Sequence, residues 1–347
     1  MYRVSIIIPI YNVHNYISRC LESIFKQECP EVTIECILVD DCSSDDSMEI
    51  AERMVSDYKS RGGIIQFEML RLPENKGHCA ARNAAIRIAS GDYYLFVDSD
   101  DYLEQGSVKY YVEELDSVEG QPELVMANAL SCYDKRILSI IPQKQFIDNS
   151  KCEGLNLILN RTLVHSSWNK LVKANVFAVY GLYFSEDIIN EDLLWSYMLF
   201  LHASNILLLP RITYYYDNNN LQSITKTETY SLKFIRSRLF ICNQIFLNPP
   251  RIVLPDYYSY VFIILHKAID ALENQTDVSD VSTERSEMCQ LKRHLLYSAW
   301  RSGYPLLCCL FLTVYKPFYY IVKLKTFRCH FNFIVRIVVA ASRKFHF

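Results

Sequence analysis

The chain has 347 residues, half of them hydrophobic, and carries a formal net charge of −3 at neutral pH. This length predicts one main domain of roughly 200–230 residues with appended segments, and the apolar content excludes an intrinsically disordered chain. The twelve cysteines include no C-x-x-C pair and lie mostly in apolar runs. This is typical of reduced core cysteines and counts against zinc, haem or a disulfide framework. No signal peptide opens the sequence, so the catalytic part is expected in the cytoplasm.

The first 130 residues alternate short apolar runs with amphipathic helical patterns. Helices are predicted at residues 14–27, after a cap at Ser44, and at residues 79–90. Gly91 is well placed to end the third of these helices. Strands are predicted at residues 4–10, 34–39, 64–72, 93–97 and 124–130. This alternation predicts an α/β fold with a mostly parallel sheet flanked by helices, and in such sheets ligands bind at the carboxyl ends of the strands.

From about residue 150 the pattern is mainly helical. One short strand is predicted at residues 206–209. Helices are predicted at residues 152–160, 170–179, 191–202, 231–247, 256–273 and 284–301. We therefore predict a main domain over residues 1–225, a helical extension over 226–303 and a basic, hydrophobic tail over 304–347.

Charge is unevenly distributed along the chain. No Asp or Glu follows Glu287, so with a net charge of −3 the preceding residues must carry −13. An apolar run at residues 305–315 is too short to span a bilayer, which favours helices lying on a membrane surface over nucleic-acid binding. The alternative is a helix packed on the main domain. The ten basic residues after Glu287 are Lys292, Arg293, Arg301, Lys316, Lys323, Lys325, Arg328, Arg336, Arg343 and Lys344.

Acidic residues directly follow two of the predicted strands. Asp98 and Asp100 form a D-x-D pair after residues 93–97, and carboxylates two apart at a strand end can bind one Mg²⁺ or Mn²⁺. Such a metal neutralises the charge on a departing diphosphate, whereas the simpler interpretation is a solvated acidic turn. Asp40 and Asp41 end the strand at residues 34–39, where an aspartate can accept a hydrogen bond from the N–H of uracil. The alternative role for this segment is helix capping, which Ser43 and Ser44 could satisfy without Asp40 and Asp41.

The first strand ends in Pro9-Ile10-Tyr11-Asn12, without the G-x-G-x-x-G of dinucleotide-binding proteins, which counts against NAD or FAD. Tyr11 could stack on a base or cover the sheet edge. Lys76 and Arg82 flank the start of a predicted helix and could contact phosphate or simply be surface charges.

Glu191 and Asp192 begin the predicted helix at residues 191–202. Inverting sugar transfer needs a general base for the acceptor hydroxyl, and a carboxylate here could supply it. The alternative is ordinary charge complementarity at a helix start.

In this order and spacing, the motifs resemble family 2 glycosyltransferases with the Rossmann-like GT-A fold, in particular bacterial enzymes of capsule, exopolysaccharide and lipopolysaccharide assembly. The resemblance covers residues 3–225. It implies inverting transfer of a sugar from a nucleotide-diphosphate sugar, with UDP favoured, to a glycan or polyprenyl-linked acceptor. It also implies Mn²⁺ or Mg²⁺ as cofactor and a peripheral location on the cytoplasmic face of the bacterial inner membrane.

The resemblance also assigns roles to residues. Asp41 would hold the base with support from Asp40, and Asp192 would be the catalytic base, with Glu191 as second choice. Further implied roles are a base pocket lined by Pro9 and Tyr11, a metal on Asp100, Asp98 near ribose or metal, and an acceptor side shaped by Trp168, Asn169 and Lys170.

Two positions depart from the family pattern. Cys42 stands where the family usually has glycine, and the segment at Asp217 lacks a nearby arginine, which removes one expected phosphate contact.

Two alternatives stay open. A sugar-phosphate nucleotidyltransferase should carry a glycine-rich loop followed by arginine near its start, which this chain lacks. A non-catalytic, membrane-attached partner of a polysaccharide assembly complex should show eroded acidic sites, whereas both are intact here.

Overall fold

The computed structural model describes residues 1–217, 231–252, 255–273 and 282–302. The chain divides into two compact units, Met1–Thr227 and Glu228–Phe347. The tail predicted at residues 304–347 lies outside the described residues. Among the helices that are described, none combines the length and apolar composition needed to cross a membrane.

The first unit is built on one sheet. Its strands are β1 (Arg3–Ile10), β2 (Thr33–Asp40), β3 (Gln66–Arg71), β4 (Tyr93–Phe96), β5 (Tyr102–Leu103), β6 (Leu124–Ser131), β7 (Gln145–Asp148), β8 (Lys170–Lys173) and β9 (Asn205–Tyr216). Its helices are α1 (Ile17–Phe25), α2 (Ser47–Ser60), α3 (His78–Ile88), α4 (Ser107–Asp116), α5 (Glu153–Leu159), α6 (Ala174–Tyr180) and α7 (Glu191–His202).

The strand order is β3-β2-β1-β4-β8-β6-β9-β5, with β7 paired to β9. Strands β3, β2, β1 and β4 are parallel neighbours, because a helix joins each to the next in sequence. Strand β8 runs antiparallel to both β4 and β6. The α/β class is confirmed, and the described strands form a mixed sheet whose parallel pairings are concentrated on the β1–β4 side.

The core surrounds the parallel strands. Residues Val4 to Ile10 are all buried, as expected for a strand covered by helices on both faces. Helix α1 buries one stripe formed by Ile17, Cys20, Leu21 and Ile24. Fully burying a single isoleucine or leucine stabilises the folded state by about 1.5–3 kcal/mol. Several such residues pack between the helices and the sheet, and this packing fixes the positions of β1, β2 and β4.

Two predicted helix boundaries are wrong. Helix α2 begins at Ser47 without a side-chain cap, and the backbone N–H of Ser44 instead donates to Asn12 Oδ1 at 2.8 Å. Helix α3 ends at Ile88, before Gly91. A Cβ atom at Gly91 would lie 2.7 Å from the backbone nitrogen of Ser5, so close packing, rather than helix termination, requires glycine there.

Residues 170–173 also differ from the prediction, since they form β8 instead of the start of a helix. Pairing with β4 and β6 on both sides outweighs the helical pattern of the local sequence. The strand predicted at residues 206–209 is part of the longer β9, which continues past a bulge to pair with β5.

The second unit contains three described helices, α8 (Leu232–Leu247), α9 (Pro255–Glu273) and α10 (Ser282–Arg301). They pack on one another through buried apolar residues that include Ile235, Leu239, Tyr260, Ile264 and Leu295. All three helices were predicted to within two residues.

Candidate functional site

The predicted site residues gather at one edge of the sheet. Strands β2, β1 and β4 are adjacent and parallel, so their carboxyl ends lie side by side. Asp40 ends β2, Tyr11 follows β1, and Asp98 follows β4. This edge is where ligands bind in open α/β sheets.

The loops after β1 and β2 are fastened to each other. The backbone N–H of Asn12 donates to Ser43 Oγ at 3.2 Å, and that of Val13 donates to Ser47 Oγ at 2.8 Å. Burial raises the pKa of Asp45, but hydrogen bonds from Ser47 and His14 outweigh it and lower the pKa to about 2. Asp45 thus stays ionised and joins α2 to the loop after β1.

The two aspartates at the end of β2 have different partners. The Asp41 carboxylate accepts the backbone N–H groups of Lys76 at 2.8 Å and Gly77 at 2.7 Å. Burial raises the pKa of Asp41, and these two hydrogen bonds oppose the rise. Asp40 Oδ1 accepts the N–H of Ser43 at 2.9 Å. Each carboxylate oxygen has two lone pairs, so Asp41 can bind these amides and still accept a base N–H.

Pro9 and Tyr11 lie next to this pair, at the end of β1. Pro9 is buried, whereas Tyr11 is 47% exposed. An exposed ring beside a buried acceptor can stack on a planar base. Their positions are compatible with the wall of a base pocket, which stays a prediction from the family resemblance.

The two predicted phosphate contacts are placed differently from expectation. Lys76 is exposed, and its Nζ atom pairs with Glu74 Oε1 at 3.1 Å. Arg82 is buried, with Nη2 at 2.6 Å from Asp98 Oδ1 and Nη1 at 3.2 Å from Glu191 Oε1. Arg82 is therefore not a surface charge, because its guanidinium binds two carboxylates inside the protein, and its contact with phosphate stays a prediction.

The three aspartates of the acidic turn after β4 have two different environments. Asp101 is buried, and its carboxylate accepts the Tyr214 hydroxyl at 2.6 Å and the N–H of Asp217 at 2.7 Å. Burial and the charges of Asp100 and Asp98 raise the pKa of Asp101. Asp98 and Asp100 are only partly buried. Asp101 therefore anchors the turn, and Asp98 and Asp100 offer the hard oxygen ligands that Mg²⁺ or Mn²⁺ prefers.

A second group of ligand atoms is present among the described residues. His78, Cys79 and Glu191 each offer one atom within 4.8 Å of the others. Burial raises the pKa of the Cys79 thiol strongly, and sulfur and imidazole nitrogen are softer ligands than carboxylate oxygens. This group is therefore less suited to a hard divalent cation than the aspartates after β4.

Arg19 is a site residue that the sequence analysis missed. Its Nη2 atom lies 2.8 Å from the carbonyl oxygen of Asp100 and 2.6 Å from Asp217 Oδ2. Its guanidinium also lies over the Tyr102 ring, 4.7 Å from the centroid. Helix α1 thus supplies a partly exposed cation beside Asp217, where the sequence lacks the expected neighbouring arginine. Only tertiary structure brings these residues together.

The two carboxylates that begin α7 have separate environments. Glu191 is buried and lies 2.7 Å from His78 Nε2. Burial raises the pKa of Glu191, but the charges of His78 and Arg82 outweigh it and lower the pKa to about 2. Asp192 is only half-buried, and its Oδ1 accepts the N–H of Leu193 at 3.0 Å. Because Asp192 is the more exposed of the two carboxylates, it stays the first candidate for the base.

Trp168, Asn169 and Lys170 form an internal support for the site. Trp168 stacks on Tyr214 at 4.6 Å between ring centroids, and Tyr214 bonds the backbone N–H of Asp98 through its hydroxyl oxygen. The Lys170 ammonium is buried and donates to the carbonyls of Ser166 at 2.6 Å and Val164 at 3.2 Å. Burial lowers the pKa of Lys170 to about 7. Trp168 thus supports the turn that carries Asp98 through Tyr214, and Lys170 binds the loop that precedes β8.

Comparison with known proteins agrees with the family resemblance. Residues 5–144 match the model of glycosyl transferase family 2. The chain is 28% identical over 218 residues to the Staphylococcus aureus poly(ribitol-phosphate) beta-N-acetylglucosaminyltransferase TarS, covering 62% of this chain and 35% of that protein. It is 29% identical to the putative glycosyltransferase EpsH of Bacillus subtilis, covering 77% and 75%.

The structural comparison agrees. The crystal structure of Staphylococcus aureus TarS 1–349 in complex with UDP-GlcNAc matches with a TM-score of 0.65 and 20% identity, over 85% of this chain and 81% of that one. The chain spans about a third of the length of the first three relatives by sequence. With the acidic clusters in place at the sheet edge, these matches confirm the resemblance to glycosyl transferase family 2 over residues 5–144, and the fold is GT-A.

Proposed function

We propose that this protein is an inverting, metal-dependent glycosyltransferase of cell-surface polysaccharide biosynthesis, with a UDP-sugar as donor and a glycan or lipid-linked acceptor. The observations that carry the proposal are that Asp41 and the Asp98–Asp100 pair follow β2 and β4 on either side of β1, and that Arg82 joins Asp98 to Glu191, the residue before Asp192. Two relatives that act on poly(ribitol phosphate), and a matching structure that contains UDP-GlcNAc, support the substrate class.

On the donor side, Tyr11 would stack on the base and Asp41 would accept a hydrogen bond from it; the exposed Tyr11 ring supports this assignment. Asp100 and Asp98 would hold Mn²⁺ or Mg²⁺, which when bound neutralises charge on the diphosphate leaving group. Arg19 adds a positive charge beside Asp100. Asp101 and Tyr214 keep this turn in place without needing to contact the donor.

On the acceptor side, Asp192 accepts the proton of the attacking hydroxyl. Its carboxylate is only half-buried, so an acceptor can reach it from solvent. The hydroxyl oxygen attacks the anomeric carbon from the face opposite the diphosphate, which inverts the configuration at that carbon. Glu191 remains bound to His78 and Arg82 and holds the first turn of α7 in position.

The test is thermal-shift binding with a panel of nucleoside diphosphates, with and without Mn²⁺, on the wild type, Asp100→Ala and Asp57→Ala. Asp57 is an exposed residue of α2 and serves as the matched control. A ligand at 100 times its dissociation constant stabilises the folded state by about 2.7 kcal/mol, which is easily detected. We expect UDP to stabilise the wild type and Asp57→Ala only with metal, and Asp100→Ala not at all.

The absence of stabilisation by any nucleotide under any metal condition would contradict the proposal. It would favour a non-catalytic member of a polysaccharide assembly complex. If a nucleotide other than UDP stabilises the protein, the proposed reaction stands and the donor carries that nucleotide instead.

A further inference from the structure

The contacts of Arg82 join two sides of the site that come from different elements. Asp98 follows β4 and belongs to the proposed donor side, whereas Glu191 begins α7 beside Asp192. Arg82 arrives from α3, and its side chain is only 5% exposed. One guanidinium therefore bonds a donor-side carboxylate at 2.6 Å and an acceptor-side carboxylate at 3.2 Å.

The two carboxylates compete for this single cation. A guanidinium presents its N–H donors in a rigid fork, so it can contact both carboxylates but cannot pair fully with each. In a buried setting the attraction to each carboxylate is stronger than in water. A divalent cation placed on Asp98 would repel the guanidinium and shift its bonding toward Glu191. Conversely, neutralising Glu191 would leave Arg82 to Asp98 alone and make Asp98 a poorer metal ligand.

The Glu191 end of this bridge determines the position of the first turn of α7. Glu191 accepts from Arg82 and also contacts His78 Nε2 at 2.7 Å, so its side chain is fixed from two directions. Asp192 is the next residue of the same turn. A tighter bond between Arg82 and Glu191 thus restrains the backbone that carries Asp192.

We propose that Arg82 is a positioning residue that couples cation binding at Asp98 to the anchoring of the first turn of α7. Donor and metal binding would then hold Asp192 in place for the acceptor hydroxyl. This inference rests on the proposed function, since it takes Asp98 as a metal ligand and Asp192 as the base. Coupling between two sites is reciprocal, so a change at Glu191 must alter metal affinity at Asp98.

The experiment measures the Mn²⁺ dissociation constant of the full chain by titration calorimetry, without acceptor or turnover. Glu191→Gln keeps the shape of the side chain and removes its charge. We expect it to weaken Mn²⁺ binding at least five-fold, a coupling typical of linked sites. Combined with Arg82→Lys, which cannot fork between two carboxylates, Glu191→Gln should change the constant less than two-fold.

Two further variants separate coupling from other effects. Glu186→Gln removes a nearby exposed acid that bonds Asn83, so it reports the through-space effect of a lost charge. Arg87→Lys changes an exposed arginine of the same helix, which faces the Tyr183 ring. Both variants should bind Mn²⁺ with a dissociation constant within two-fold of the wild-type value.

The outcomes distinguish the two proposals. If the wild type binds Mn²⁺ and folded Glu191→Gln binds it equally well, the coupling is overturned and the proposed function stands. An equal loss in Glu186→Gln also overturns it, because charge alone then accounts for the effect. If the wild type binds neither Mn²⁺ nor UDP, the proposed function fails, and the coupling fails with it.

Discussion

Cys42 takes a φ angle of +61°, in the left-handed region, at the position where family 2 enzymes usually carry glycine. The turn after β2 thus keeps a conformation suited to glycine, although the sequence departs from the family. For a residue with a Cβ atom this conformation costs roughly 1–2 kcal/mol. The turn that positions the neighbouring acidic residues therefore includes one strained residue.

Replacing Cys42 with glycine should therefore stabilise the protein. The relief of strain exceeds the extra backbone entropy of glycine, which is about 0.5–1 kcal/mol, so we expect a gain of up to about 1 kcal/mol. Urea unfolding of the wild type, Cys42→Gly and Cys42→Ala measures it. The alanine variant retains the Cβ atom and should match the wild type. Equal stabilities for the glycine and alanine variants would show that the turn is not strained.

The individual site residues differ in how far the sequence could predict them. Asp40, Asp41, Asp98 and Asp100 follow apolar strands directly, so local sequence was enough to place them at the sheet edge. The partners of Arg82 lie far from it in sequence, so its burial between two carboxylates could not be predicted from local sequence. Arg19 shows no local signal, because its contacts with the distant Asp100 and Asp217 exist only in the folded chain.

At the scale of elements, strong periodicity predicted most strands and helices. Helix α7 was predicted at its observed bounds, Glu191–His202, because its acidic start and apolar run agree. Strand β8 was missed, since its four residues gain most of their stabilisation from two neighbouring strands that local patterning does not include. Short β5 and β7 were missed for the same reason.

The far end of α7 depends on one buried side chain, Asn149. Its Nδ2 donates to the carbonyls of Phe200 at 2.7 Å and Ala203 at 2.8 Å, and its Oδ1 accepts the N–H of Gly154 at 2.9 Å. Asn149 therefore caps the carboxyl end of α7 and connects it to α5. A helix end that is buried needs such partners.

Asn149→Ala should destabilise the protein by about 2–4 kcal/mol, because it leaves three buried backbone groups without their partner. Asn160→Ala is the control, since the Asn160 side chain accepts from Thr162 in an exposed turn and its loss should cost less than about 1 kcal/mol. Denaturant unfolding of both variants checks the prediction. Similar losses for the two would mean that water replaces Asn149 at the end of α7.

At the scale of the whole molecule, strand–helix alternation predicted the class and the edge that carries the site. It did not predict the insertion of β8 between β4 and β6, which makes the sheet mixed. Strand order depends on long-range pairing, and alternation of elements specifies only which strands are joined by helices. Composition and spacing left the roles of individual site residues open, and the proposed roles come from the family resemblance.

The membrane prediction also belongs to this scale, because it rests on charge distribution along the chain. No acidic residue follows Glu287, and seven of the ten basic residues there lie beyond residue 302. Each Lys or Arg close to an anionic membrane contributes about 1 kcal/mol to binding, and interspersed apolar and aromatic residues add to it. We therefore expect the full chain to bind vesicles that contain phosphatidylglycerol.

Vesicle co-sedimentation of the full chain and a variant truncated after residue 302 tests this expectation while keeping α10 intact. Truncation should weaken binding to anionic vesicles at least ten-fold, and added salt should weaken binding of the full chain because surface charges are screened. Replacing Lys323, Lys325 and Arg328 with glutamine should reduce binding while the apolar residues remain. If truncation instead lowers thermal stability and leaves vesicle binding unchanged, the segment after residue 302 packs on the protein, and acceptors on a membrane must be reached by another route.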